Sequence, residues 1–104
     1  MHRQQLLARI KQIVIADYPS SEIILFGSRS RGDHSESCDW DILILIDADV
    51  TETEKIVLHN KIFTIELETG ELLNVIIHTK QEWHNPFMQA TPFYERVVKE
   101  GVMI

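Results

Sequence analysis

The run DWDILILID, residues 39–47, sets two carboxylates at the mouth of an unbroken apolar stretch, Ile42 to Ile46. Apolar residues on both faces mark a strand covered on both sides, so this run predicts the central strand of a layered domain. Asp39 and Asp41 stand at i and i+2, which puts them on one face with Cα atoms roughly 6.5 Å apart. Trp40 and Ile42 then turn to the opposite face, toward a core. Two carboxylates so placed repel unless a cation lies between them, and oxygen-only ligands suit Mg²⁺. The bland alternative is a polar strand entrance whose aspartates cap loop amides.

Working outward, Leu6, Leu7, Ile10, Ile13 and Val14 recur at helical spacing and predict a helix over residues 4–16. EIILFG, residues 22–27, is a short strand stopped by Gly27. A turn of helix over 28–32 and a polar loop to Ser37 lead into the central run. Thr51 and Glu54 make a capping-box pair, and Gly70 suits a C′ position, so a helix is expected over 52–69. ELLNVIIHT, residues 71–79, reads as a third strand. Residues 82–89 are ambiguous because Pro86 limits any helix there, and Thr91-Pro92 opens a last helix closing near Gly101. The order α-β-(turn)-β-α-β-α predicts one α/β or α+β domain with a small sheet, spanning residues 1–104.

Composition narrows the function. The formal net charge of −6 argues against general nucleic-acid binding, which needs a basic face to displace counterions. A small basic pocket for one phosphorylated ligand remains compatible with it. The single cysteine, Cys38, excludes an internal disulfide and suits a reducing cytosol. MHRQQLLARIKQ is too polar for a signal peptide, and no apolar run could span a membrane. A cytoplasmic location is expected. With 104 residues there is one core and little left for a second wall around a substrate.

Gly27 and Ser28 give the aspartates a context. Glycine lets backbone approach closely, and a helical turn beginning at Ser28 offers free amides to a phosphate. Arg29 and Arg31 add positive charge, although either is equally at home as a solvated side chain. The combination of strand, Gly-Ser, ten residues and Asp-x-Asp opening a strong strand resembles the signature of the DNA polymerase beta-like nucleotidyltransferase superfamily. The stretch GSRSRGDHSESCDWD is most similar to the minimal nucleotidyltransferases, MNT-type antitoxins among them. That resemblance implies a small mixed sheet of three or more strands, with helices packed mainly on one face. It implies that Gly27 and Ser28 hold the phosphates of ATP or another nucleoside triphosphate, with Arg29 and Arg31 in support. Asp39 and Asp41 would bind Mg²⁺ as the catalytic carboxylates, while an acceptor hydroxyl attacks the α-phosphorus. It also implies a small all-helical partner protein in a toxin–antitoxin-like module, whose tyrosine would be the acceptor. Self-association is compatible with this reading.

One position departs from the pattern. The family usually carries a third carboxylate on a later strand, and alternation along LLNVIIHT puts Asn74 there. An amide oxygen can ligate Mg²⁺ but cannot act as a base near neutral pH. Glu71 and Glu68 lie near, the first with the wrong parity and the second at a helix end. Two readings follow: a Mg²⁺-dependent nucleotidyltransferase, or a catalytically impaired nucleotide- or partner-binding module that acts by masking. His34 reads as solvated, Cys38 as unreactive beside two acids, and Trp83, Phe87, Phe93 and Tyr94 as packing anchors.

Overall fold

The computed structural model describes residues 3–27 and 39–104. The chain runs α1 (Arg3–Asp17), β1 (Glu22–Phe26), β2 (Trp40–Ile46), α2 (Glu52–Thr69), β3 (Leu73–Thr79), α3 (Lys80–Trp83), α4 (Pro86–Gln89), α5 (Pro92–Glu100) and β4 (Val102–Met103). Four strands form one mixed sheet in the order β3-β2-β1-β4. Strand β2 lies antiparallel to β1 and parallel to β3, so α2 is the crossover that a parallel pair requires. The predicted central run is indeed central, and six of its seven residues are buried.

The alternation of β2 divides the protein into two cores. Trp40, Ile42, Ile44 and Ile46 join Ile23, Leu25 and Ile77 under Leu6, Ile10 and Val14 of α1 and Leu58, Ile62 and Ile65 of α2. Leu43 and Leu45 face the other way, with Phe26, and meet Trp83 of α3 and Val97 of α5. The two long helices therefore cover one face, and short helices cover part of the other.

Local chemistry sets the element ends. The Thr51 hydroxyl accepts from the Glu54 amide while the Glu54 carboxylate accepts from the Thr51 amide, closing the capping box that starts α2. Thr79 and Glu82 repeat that box at the start of α3. The ambiguous segment resolves into two single turns on either side of Asn85, which caps the second with Pro86 in its first turn. Strand β4 was not foreseen: Val102 and Met103 pair with Leu25 and Ile24 of β1. Gly101 makes this approach feasible, since a Cβ there would lie 2.5 Å from the Val97 carbonyl oxygen and 2.7 Å from Ile24 Cγ2.

Candidate functional site

The parallel register places Asp41 of β2 opposite Asn74 of β3, and Asn74 Nδ2 donates to Asp41 Oδ1 at 2.9 Å. The alternation read from sequence thus puts the amide beside the carboxylate, at the position where a third acid was sought. Asp39 is exposed just ahead of β2. Ser28, Arg29 and Arg31, together with His34 and Cys38, lie outside the described residues.

Gly27 ends β1 with φ +75°, a left-handed conformation that suits glycine. A side chain there has no room: a Cβ would lie 2.3 Å from Asp41 Oδ2 and 3.1 Å from Arg96 Nη2. The missing side chain therefore lets the Asp41 carboxylate and the Arg96 guanidinium approach the Gly27 backbone closely.

Arg96 and Glu100, one turn apart on α5, complete the site and were not singled out in the sequence. Arg96 Nη2 stands 3.8 Å from Asp41 Oδ2, and its guanidinium carbon lies 5.4 Å from the centroid of the Phe26 ring. Glu100 Oε2 accepts from the Gly27 amide at 3.2 Å and lies 3.4 Å from Arg96 Nε. An Arg–Glu pair at i and i+4 normally reads as a solvated helix face. The one signal was its position, three residues beyond Phe93 on a helix that must cover the site face.

The two glutamates weighed as substitutes for a third acid are engaged elsewhere. Glu71 accepts from the Trp40 indole at 2.9 Å, on the helix-covered side of the sheet, and exposed Glu68 pairs with Arg9 of α1. Trp83 packs edge-on against Phe93 and tilted against Tyr94, as expected of anchors, whereas Phe87 is 87 % exposed.

Asn74 also borders a groove of about 310 Å³ lined by His59, Phe63 and Glu66 of α2 and Leu73 and Val75 of β3. Farther along β3, His78 Nδ1 is buried with no hydrogen-bond partner among the described residues, 3.9 Å from the Glu82 carboxylate. Burial lowers the His78 pKa below its ordinary value, against the upward pull of Glu82 and Glu52; Lys55 adds to the lowering. Among the described residues no three His, Cys, Asp or Glu side chains gather as a metal cluster, and no helix is long and apolar enough to cross a membrane.

The model of the nucleotidyltransferase domain family matches residues 7–102. A putative protein adenylyltransferase of Methanocaldococcus jannaschii is 35 % identical over 80 residues, covering 77 % of this chain and 73 % of the relative. Among solved structures, a chain of a toxin–antitoxin complex with AMP-PNP superposes with a TM-score of 0.62 at 17 % identity, covering 98 % of this chain and 72 % of its own. A chain of the complex between tri-AMPylated Shewanella oneidensis HEPN toxin and MNT antitoxin gives 0.59 at 17 % identity, covering 98 % and 71 %. At such identity the likeness to both is one of fold.

Proposed function

This chain belongs to the nucleotidyltransferase domain family, and from that premise we propose that it binds a nucleoside triphosphate at the Gly27–Asp41 mouth and acts chiefly on a partner protein, with transfer chemistry impaired. The observation that carries this reading is the Asn74–Asp41 hydrogen bond, in register, where a third carboxylate would sit. A carboxylate there could polarise an acceptor hydroxyl and receive its proton; an amide cannot.

The residues present fit a hard divalent cation. Asp39 and Asp41 supply oxygen donors, and the space that a Gly27 side chain would fill lies directly before Asp41 Oδ2. A bound Mg²⁺ would supply charge neutralisation and polarisation of the reacting phosphoryl group. The chain's own part is to grip phosphate oxygens at the Gly27 amide and to keep Asp41 oriented through Asn74. Ser28, Arg29 and Arg31 would extend that grip.

A small helical partner in a toxin–antitoxin-like module is supported by the fold likeness to chains from two such complexes. Ile56, Phe63 and Leu67, more than half exposed at helical spacing on the outer side of α2, are in keeping with a surface meant to be covered.

A second reading, transfer of a nucleoside monophosphate from ATP to a tyrosine hydroxyl of that partner, is favoured by the retained Asp39 and Asp41. The name of the 35 % identical relative points the same way. The experiment that separates them supplies ATP labelled at the α-phosphate, with Mg²⁺, to lysate of the source cells containing the natural partner. Wild type, Asp41→Asn and Asn74→Asp are compared. Impaired chemistry is expected to show as label transfer by Asn74→Asp but little by wild type. Strong transfer by wild type, lost in Asp41→Asn, makes the second reading the right one.

A further inference from the structure

The oxygen that sits on the Gly27 amide in this structure belongs to the protein itself. Glu100 Oε2 is 3.2 Å from the Gly27 nitrogen and 3.4 Å from Arg96 Nε. Amide and guanidinium thus converge on one anionic oxygen, a geometry that phosphate oxygens share with carboxylates. The same arginine lies near Asp41, so its charge spans Asp41 and Glu100. Stacking over Phe26 holds the guanidinium in place while leaving Arg96 half exposed.

We propose that Glu100 is an internal occupant of the triphosphate seat and that Arg96 is a phosphate-binding residue which changes partner when nucleotide arrives. This inference rests on the nucleotide-binding reading above and deepens it. In the free protein Arg96 neutralises Asp41 and Glu100. An incoming triphosphate oxygen replaces the Glu100 carboxylate on the Gly27 amide and takes Arg96 with it, while Asp41 becomes available to the divalent cation. Glu100 leaves toward solvent, since its side chain is already 20 % exposed at the edge of α5. Affinity for nucleotide is therefore reduced by the free energy of an internal contact.

Inorganic tripolyphosphate, which carries no base or sugar, probes the seat directly. Its binding to the full chain in the presence of Mg²⁺ is measured by calorimetry at about 0.15 M salt, for wild type, Glu100→Gln, Glu95→Gln, Arg96→Gln and Arg96→Lys. Glu100→Gln is expected to tighten binding about five- to tenfold, because the neutral side chain competes weakly for the amide and no longer repels the ligand. Glu95→Gln removes an exposed acid from the same helix and is expected to change affinity less than about twofold. Arg96→Gln should weaken binding about tenfold, with part of it restored in Arg96→Lys. Equal tightening by Glu95→Gln and Glu100→Gln overturns the competition, because it reduces the effect to overall charge. Unchanged affinity in Glu100→Gln and Arg96→Gln, with wild type still binding, overturns the inference and leaves the functional reading standing. Absence of binding of both tripolyphosphate and ATP to wild type and Glu100→Gln overturns both. Should Arg96→Gln fail to fold, the contrast between the two glutamate variants decides alone.

Discussion

The two faces of the sheet are built from alternate residues of the same strands, yet they do opposite things. On one face Ile42, Ile44 and Ile46 are sealed beneath two long helices, and a polar atom that intrudes, the Trp40 indole N–H, is answered by Glu71. On the other, Leu43 and Leu45 are equally buried, but the same row continues outward to Asp41 and Asn74 and is covered by helices of four to nine residues. One strand thus anchors the fold with its even-numbered residues and exposes chemistry at one end of its odd ones. The lesson is that the site has a rigid floor and a lightly fastened roof.

Single substitutions on the two faces test this contrast. The largest effect is expected from Asn74→Asp, which acts on the site face alone: labelled-nucleotide transfer should rise about 10²-fold or more over wild type, the scale of a restored acid–base group. Ile42→Ala and Leu43→Ala come next, compared by urea unfolding. The first should cost about 3–4 kcal/mol beneath the long helices, and the second about 2 kcal/mol, because short helices settle more readily into a cavity. Equal losses would mean that both faces are equally rigid. Gly27→Ala should cost about 1–3 kcal/mol, since it strains a left-handed backbone and drives a methyl group against Asp41; nucleotide affinity, measured by calorimetry, should fall as well. Thr51→Ala, distant from the site, should remove about 1 kcal/mol through the lost cap while leaving nucleotide affinity unchanged.

The smallest effect is a pH dependence from His78. Its folded pKa lies below the unfolded value of about 6.5, so the unfolded chain binds the proton first. Stability from the neutral imidazole is full above that pH and declines as pH falls from there through the folded pKa. Glu82, Glu52 and Lys55 are the charged groups that act on it. Thermal unfolding of His78→Asn across pH 5–8 should lack this decline, and a wild-type profile equally flat would contradict the assignment.

Much of this arrangement was legible from residue pattern. Helix α2 begins and ends where Thr51, Glu54 and Gly70 place its limits, because caps are local chemistry. The placement of Asn74 on the face of the missing acid followed from period-two alternation, while its pairing with Asp41 depends on the parallel register of β2 and β3. What stayed hidden depends on distant chain segments meeting. Val102 and Met103 carry no periodicity of their own and form a strand only where β1 has a free edge. Arg96 and Glu100 become site residues because α5 folds back over Gly27, and the destination of the Glu71 carboxylate was set by an indole 31 positions earlier. The half of the phosphate grip expected from Ser28, Arg29 and Arg31 lies outside the described residues.

The short strand β4 has a kinetic consequence. Helix α5, with Arg96 and Glu100, is tied to the sheet edge by the pairing of Val102 and Met103 with β1 and by the Ile104 amide donating to the Ile23 carbonyl at 2.9 Å. In hydrogen-exchange terms these amides are expected to belong to the first cooperative unit to open, and those of Ile42–Ile46 to exchange only with the whole fold. The edge that carries Arg96 and Glu100 is therefore expected to open and reclose many times within one lifetime of the folded core. If Arg96 takes a phosphate as proposed, exchange along β4 is expected to slow, so the ligand's arrival would be recorded at amides that it does not touch.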